Sequence, residues 1–377
     1  MENVDVLLKQ HSNFEHCIDQ EDYNDGYYHI GKDIEVFPDA VIYIVWSRRG
    51  PGKTYSALRY PYHKFRTLYM KRTNKDVKTI CEYAGDIDFD PSPWSPLNRD
   101  FGINVKPRLL KDGLGAFYDS DHEGNPVGPV VNYVASLNAI KTLKGMDLTA
   151  AEWIIFDEFI PQAGEVVKKA EGDMLLDLYE TVNRDRRKRG RPGLKLILFA
   201  NAEEISTHIT NALEVVDDMA EMQATGQNIL YMEERGILLH HITEKDFPMQ
   251  DIEKHDMYRV MKGTAWAEKS FGGDFSKNDF SAVKDLSLKH FRCLYHIIYR
   301  RNTEAFIWLS NKDGTYYMTH RPGKFIQEYN LNRENQQKLF WINLGIQLRD
   351  ACISDRMLFE KYSYYDLIVN YTKFYDL

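Results

Sequence analysis

Cysteine is scarce in this chain. Its four cysteines, Cys17, Cys81, Cys293 and Cys352, lie far apart among 377 residues. None has zinc-site or redox-pair spacing to another, so reduced, structural thiols are expected. Long apolar runs are missing as well: no stretch approaches the ~18 consecutive apolar residues of a membrane span. The N-terminus, MENVDVLLKQHSNF, has no basic start followed by an apolar run, so no signal peptide is expected. These absences point to a cytoplasmic compartment, of a cell or of an infected cell. Positive charge is also in deficit, with 48 Lys+Arg against 56 Asp+Glu and a net charge of −8. A protein that coats nucleic acid by bulk charge is basic. Any nucleic-acid contact here must come from a local basic patch, or from a ring that concentrates one.

What is plentiful is aromatic and apolar side chain, 13% and 43% of residues, with 24 Tyr. Such a chain can bury sizeable cores, and its length suits two or three domains. From 39 to about 204, apolar runs alternate with helical stretches: AVIYIVW from Ala40, TLYMK from Thr67, VVNYVA from Val130, WIIF from Trp153 and LKLILFA from Leu194. Runs of this kind, with helices between them, predict a parallel sheet covered on both faces in an α/β domain. The first 38 residues read as an extension with short helices. Residues 84–128, with PSPWSP and several Gly, read as a surface insertion holding a hairpin. Residues 205–227 are expected to be helical, with a short strand at Gly236–His241. The domains are placed at 1–245 and 284–377, with 246–283 as a linker or lid. In the second domain, strands are expected at Arg292–Tyr299, Ala305–Ser310 and Thr315–His320, with NKDG as a hairpin turn. Helices are expected around 333–350 and 354–374.

Ser47-Arg-Arg-Gly-Pro-Gly-Lys-Thr54 follows an apolar strand and precedes a helical stretch, the context that a phosphate loop requires. Gly50 and Gly52 let the backbone wrap closely round phosphate oxygens. Amides at the start of the following helix favour an anion. Lys53 is placed to reach the β- and γ-phosphates of ATP, and the Thr54 hydroxyl to ligate Mg2+. The expected nucleotide-binding set is Ser47, Arg48, Arg49, Gly50, Pro51, Gly52, Lys53, Thr54 and Tyr55, with Asn201. Two positions depart from G-x-x-x-x-G-K-[ST]: Ser47 replaces the first glycine, and Pro51 has no amide hydrogen to donate. Downstream, Trp153-Ile-Ile-Phe ends in Asp157-Glu158. Asp157 suits the magnesium shell, and Glu158 suits general-base activation of the attacking water. The strand LKLILFA ends at Asn201, which reads either as a γ-phosphate sensor or as a helix cap.

Arg184, Arg186, Arg187, Lys188, Arg189 and Arg191 follow the helical run DMLLDLYETV. Cations suit a helix C-terminus, but this charge density exceeds what a cap needs. Two readings compete: an arginine finger reaching a neighbour's ATP, assigned to Arg184, and a track for nucleic-acid phosphates or a subunit interface, assigned to Arg186, Arg187 and Arg189. Lys141 and Lys144 are further candidates for DNA or inter-subunit contact, with a solvated face as the alternative.

In combination, SRRGPGKT, WIIFDEF with the following IPQ, LLDLYETVNRDR and LILFANA resemble the genome-packaging ATPases of φ29-like tailed bacteriophages, small relatives of terminase large subunits. The likeness covers the first domain in order, and extends more weakly to FRCLYHIIYRRNTEAFIWLSNKDGTYYMTH. The resemblance implies a P-loop ATPase sheet of the additional-strand, catalytic-glutamate type, plus a small α+β, ribonuclease-H-like C-terminal domain. It implies a ring, a homopentamer, that pushes double-stranded DNA into a procapsid through its portal, in the cytoplasm of an infected host. In that family a packaging RNA can mediate attachment. Arg49, Lys53, Thr54, Asp157 and Glu158 match the family's nucleotide motifs, Arg184 its trans-acting arginine, and Arg72 a position where relatives carry arginine.

True terminases also cut DNA, with several carboxylates holding two metals. The opening strand of the second domain, RCLYHIIYR, carries no carboxylate. The domain is therefore expected to be a vestigial nuclease that binds DNA, RNA or portal. A cutting terminase and a nucleotide-gated, portal-binding scaffold remain the alternatives.

Overall fold

The computed structural model describes residues 26–82, 92–140, 148–162, 164–165, 167–202, 204–243, 256–264, 278–300 and 303–376. The chain divides into two compact units, Met1–Ile209 with Met222–Ser276, and Thr210–Glu221 with Lys277–Leu377. The sequence reading kept Thr210–Glu221 in the first domain. The segment groups instead with the C-terminal unit, where Asp217 accepts hydrogen bonds from the Ser363 amide at 2.9 Å and hydroxyl at 2.8 Å, and Asn211 takes one from Arg300. Most of the expected 246–283 linker lies outside the described residues, as do residues 1–25 of the N-terminal extension. Among the described residues, no helix is long and apolar enough to cross a membrane.

The first unit is built on a nine-stranded sheet in the order β3-β4-β5-β2-β6-β7-β1-β9-β8. Its strands are β1 (Ile42–Ser47), β2 (Arg66–Lys71), β3 (Val105–Lys111), β4 (Leu114–Ser120), β5 (Pro126–Ser136), β6 (Ala151–Phe156), β7 (Lys195–Asn201), β8 (Ile229–Met232) and β9 (Ile237–His241). Neighbours from β5 through to β9 run parallel. The apolar runs of the sequence are these central strands: Tyr43–Trp46, Leu68–Met70, Ile154–Phe156 and Leu196–Ala200 are buried, as both faces of a covered parallel sheet demand. Helices α1 (Ile30–Val36), α2 (Lys53–Arg59), α3 (Asn74–Glu82), α4 (Ser95–Phe101) and α5 (Glu171–Asn183) belong to this unit. In α3 the buried positions Val77, Ile80 and Cys81 fall at i, i+3 and i+4, the stripe of a helix lying on a sheet. The expected hairpin is β3–β4, paired antiparallel and extended by β5. β5 outgrows the expected run from Val130 because its first half pairs with β4 alone, while its end pairs with β4 on one side and β2 on the other.

The second unit holds a five-stranded sheet ordered β13-β10-β11-β12-β14. Strands β10 (Phe291–Tyr299), β11 (Thr303–Ser310) and β12 (Tyr316–Thr319) form the expected antiparallel meander. Two short strands not foreseen from the sequence, β13 (Gln327–Asn330) and β14 (Met357–Phe359), add parallel to β10 and β12. The first expected helix runs as α6 (Glu334–Phe340), a π turn (Trp341–Gly345) and α7 (Ile346–Ile353). The second begins only after β14, as α8 (Tyr362–Val369) and α9 (Tyr371–Phe374).

Candidate nucleotide site

Parallel strands bring their carboxyl ends to one edge of the sheet, and such sheets gather ligands there. Ser47 ends β1 in register with Asn201 at the end of β7. Asp157 and Glu158 follow β6, and β2 ends at Lys71. The loop after β1 needs two residues in the left-handed region, Gly50 (φ 94°) and Gly52 (φ 87°). A Cβ on Gly52 would lie 2.9 Å from the Tyr27 ring. Pro51 has no amide to donate, but its carbonyl accepts the Tyr28 N–H at 2.8 Å.

Lys53 is nearly enclosed, at 7% exposure. Its Nζ lies 2.5 Å from Ser47 Oγ, and 3.4 Å from both the Arg48 carbonyl and Asn201 Oδ1. Ser47, standing where a glycine is usual, thus supplies an acceptor for the lysine and donates its own proton to the Arg48 carbonyl at 2.6 Å. Burial pulls the Lys53 ammonium down to about 8, against the opposing attraction of Asp157 and Glu158.

Asp157 Oδ2 accepts from Thr54 Oγ1 at 2.9 Å and from the Tyr69 phenol at 2.8 Å, with Lys71 Nζ at 3.7 Å. Burial first, and then the charge of Asp157, push the Tyr69 phenol well above its ordinary value. Glu158 has left-handed backbone at φ 56°. Its carboxylate takes Gln162 Nε2 at 3.4 Å and faces Lys71 Nζ at 3.8 Å; Gln162 Oε1 takes Arg49 at 3.5 Å. The turn is anchored from below by the buried Arg72. Its guanidinium donates to the Phe159 carbonyl at 2.6 Å, to Glu171 at 2.7 Å and to Glu165 at 2.6 Å. Burial raises the Glu171 carboxyl despite that arginine.

A cleft of about 560 Å³ opens over Gly50, Gly52, Thr54, Tyr69, Asp157 and Glu158. The Thr54 hydroxyl and the Asp157 carboxylate are hard oxygen donors in mutual contact. They fit a magnesium ion, which takes one or two protein oxygens and completes its shell with water and substrate phosphates. Among the described residues no group of three or more His, Cys, Asp or Glu could cage a metal alone. Tyr69, Lys71, Gln162 and Tyr27 were not singled out from the sequence. For Tyr69 and Lys71 the available signal was position: they close the strand run that precedes Arg72.

The basic cluster lies elsewhere. Arg184 caps the end of α5, exposed, and lines a separate hollow with Asp177, Glu180 and Thr181. Arg187 and Arg189 are exposed in the following turn. Arg186 is a correction to the sequence reading. It is 0% exposed, and its guanidinium donates to the carbonyls of Thr149 at 2.7 Å, Ala151 at 2.5 Å and Pro192 at 3.0 Å. An arginine spent on backbone carbonyls inside the fold is unavailable to DNA. Lys141 and Lys144 lie outside the described residues.

No protein-family model matches the chain. No curated protein matches it. Solved structures do. The chain is similar to the viral genome packaging motor assembly of bacteriophage Phi-29, with 17% identity, TM-score 0.60, and 93% of this chain and 100% of that one covered. It is similar to the Phi-28 DNA packaging motor, with 14% identity, TM-score 0.55, and 93% and 98% covered. The chain therefore shares the fold of these motor proteins over nearly its whole length.

Proposed function

We propose that the chain is an ATP-driven motor that moves double-stranded viral DNA into a procapsid. The observation that carries this reading is the convergence of Thr54, Asp157 and Glu158, distant in sequence, on one cleft at the carboxyl edge of the sheet, with the buried Lys53 ammonium within electrostatic reach of both carboxylates. The strand β7 inserted between β1 and β6 supports the additional-strand type of P-loop ATPase. The fold shared with two phage packaging motors supports packaging as the work to which hydrolysis is coupled.

In this reading the loop from Ser47 to Tyr55 wraps the triphosphate, and Lys53 leaves Ser47 and the Arg48 carbonyl for the β- and γ-phosphates. Thr54 and Asp157 hold Mg2+, which when bound neutralises phosphate charge. Glu158 orients and deprotonates the attacking water, and its half-exposed carboxylate stands clear enough of the fold to reach one. Asn201, within reach of Lys53, reports the γ-phosphate. Arg184 is exposed, as a finger offered to a neighbour's nucleotide in a homopentameric ring must be. Arg187 and Arg189 face DNA or the adjoining subunit. The ring docks on the portal of the procapsid in the host cytoplasm, with a packaging RNA as a mediator of attachment.

The C-terminal unit is read as a ribonuclease-H-like domain that does not cut. Its antiparallel meander with a fourth strand parallel to the first supports that fold. On the opening strand β10, His296 takes the inter-strand position, facing Glu328 at 3.0 Å and Glu304 at 3.4 Å.

The test is ATP-dependent DNA uptake by purified procapsids, run beside Glu158→Gln. The variant is expected to bind ATP as the parent does and to lose about 10²- to 10⁴-fold in turnover, the usual worth of a general base. Unchanged turnover in assembled rings would favour a nucleotide-gated scaffold. Metal-dependent nicking of plasmid DNA would favour a cutting terminase.

A further inference from the structure

The phosphate loop and its carboxylates account for the triphosphate end of a nucleotide, and leave open what receives the base. A segment before β1 bears on this. Residues 26–36 lie along the loop and its helix: the Tyr28 amide donates to the Pro51 carbonyl at 2.8 Å, and the Ile30 amide to Ser56 Oγ at 2.7 Å. Tyr28 does the anchoring. It is 4% exposed, its phenol donates to Asp33 at 2.6 Å, and Asp33 in turn holds His240 at 2.7 Å.

Its neighbour Tyr27 has a different fate. That ring is 38% exposed and lies against Gly52, close enough that any side chain there would strike it. It also stacks on Tyr55, with centroids 5.7 Å apart and planes at 24°. Tyr55 continues toward Phe101, with centroids at 6.3 Å, and its phenol reaches Asp100 at 3.2 Å. A partly exposed aromatic ring is thus held, by the Tyr28 amide's bond to Pro51, beside the residue that follows Thr54. Residue 55 marks the α-phosphate end of a phosphate loop, the end from which ribose and base project.

We propose that Tyr27, backed by Tyr55, is the stacking platform for the nucleobase. This rests on the nucleotide-site reading and deepens it. Stacking on a π-face is indifferent to which base is presented, so this contact contributes affinity without discriminating adenine from guanine. The positive φ of Gly52 then acquires a second reason: a side chain at 52 would displace the ring that the base needs.

The test is equilibrium binding of ATP, ADP and inorganic tripolyphosphate to the full chain and to Tyr27→Ala and Tyr27→Phe. Loss of a base stack predicts that Tyr27→Ala weakens ATP and ADP by about 5- to 150-fold and leaves tripolyphosphate unchanged. Tyr27→Phe keeps the parent's affinity for all three. Equal loss for all three probes would mean that Tyr27 only shapes the loop, and would overturn the proposal. So would unchanged ATP binding in Tyr27→Ala. A parent chain that binds tripolyphosphate as tightly as ATP would sink the base platform and leave the phosphate site standing. A parent that binds neither would sink both.

Discussion

Replacing Arg72 by Met should cost the ATPase unit about 3–5 kcal/mol, the usual penalty for stripping one partner from a buried ion pair. The figure follows from what the guanidinium holds. Glu171 is buried and its carboxyl is already raised by burial, so without the arginine it must be protonated or stay charged in a poor medium. The Phe159 carbonyl loses a 2.6 Å donor as well, and an orphaned buried acceptor costs roughly 1–3 kcal/mol. The pair with Glu165 adds little, because that carboxylate is 42% exposed and solvent screens it. Converting both Arg72 and Glu171 to Met removes the stranded charge, so the double variant should lose only the Phe159 share, about 1–3 kcal/mol. Two compact units need not unfold together, so the assay is amide hydrogen exchange read at β2 and β6. Protection there should fall about tenfold for each 1.4 kcal/mol lost. Turnover should fall with it, because Arg72 pins the turn that carries Glu158. If Arg72→Met loses less than 1 kcal/mol at those strands, or the double variant is no better than the single, the electrostatic reasoning is wrong.

Lys53 makes nucleotide binding pH-dependent. Its ammonium is lowered to about 8, and added phosphate charge restores the protonated form, so ATP binding near pH 8 should take up about half a proton. Affinity should weaken as pH rises above 8, and calorimetry in buffers of different ionisation heat should detect the uptake; identical heats in all buffers would refute it. The sign for folding is opposite: between pH 8 and the ordinary lysine value the unfolded chain holds more protons, so the nucleotide-free protein should gain stability as pH rises there. Arg186→Ala strands the carbonyls of Ala151 and Pro192 and should cost about 2–4 kcal/mol, whereas Arg187→Ala and Arg189→Ala, both exposed, should stay within about 0.5 kcal/mol. Denaturant titration that ranks the three alike would contradict the buried role.

By itself the sequence determined the elements whose signal is local. Strands β1, β2, β6 and β7 are continuous apolar runs because both faces of a parallel sheet are covered, and burial on both faces leaves its mark on every residue. The phosphate loop and the Asp157-Glu158 pair are legible for a related reason: chemistry at a strand's carboxyl end needs particular residue types at fixed offsets. Strands β8, β13 and β14 were not legible. They are three or four residues long and take their place only by pairing with strands already laid down, so they carry no period of their own. Tertiary structure alone decided what each cation does. Arg184, Arg186, Arg187 and Arg189 read as one basic run, yet Arg186 turns inward to three carbonyls while the others face solvent. Lys71 and Arg72 are adjacent, but β2 ends between them and the chain turns, so they take opposite duties, one facing Asp157 and Glu158, the other bracing the turn beneath. Composition counts charges, whereas the path of the backbone chooses which carbonyls and carboxylates those charges meet.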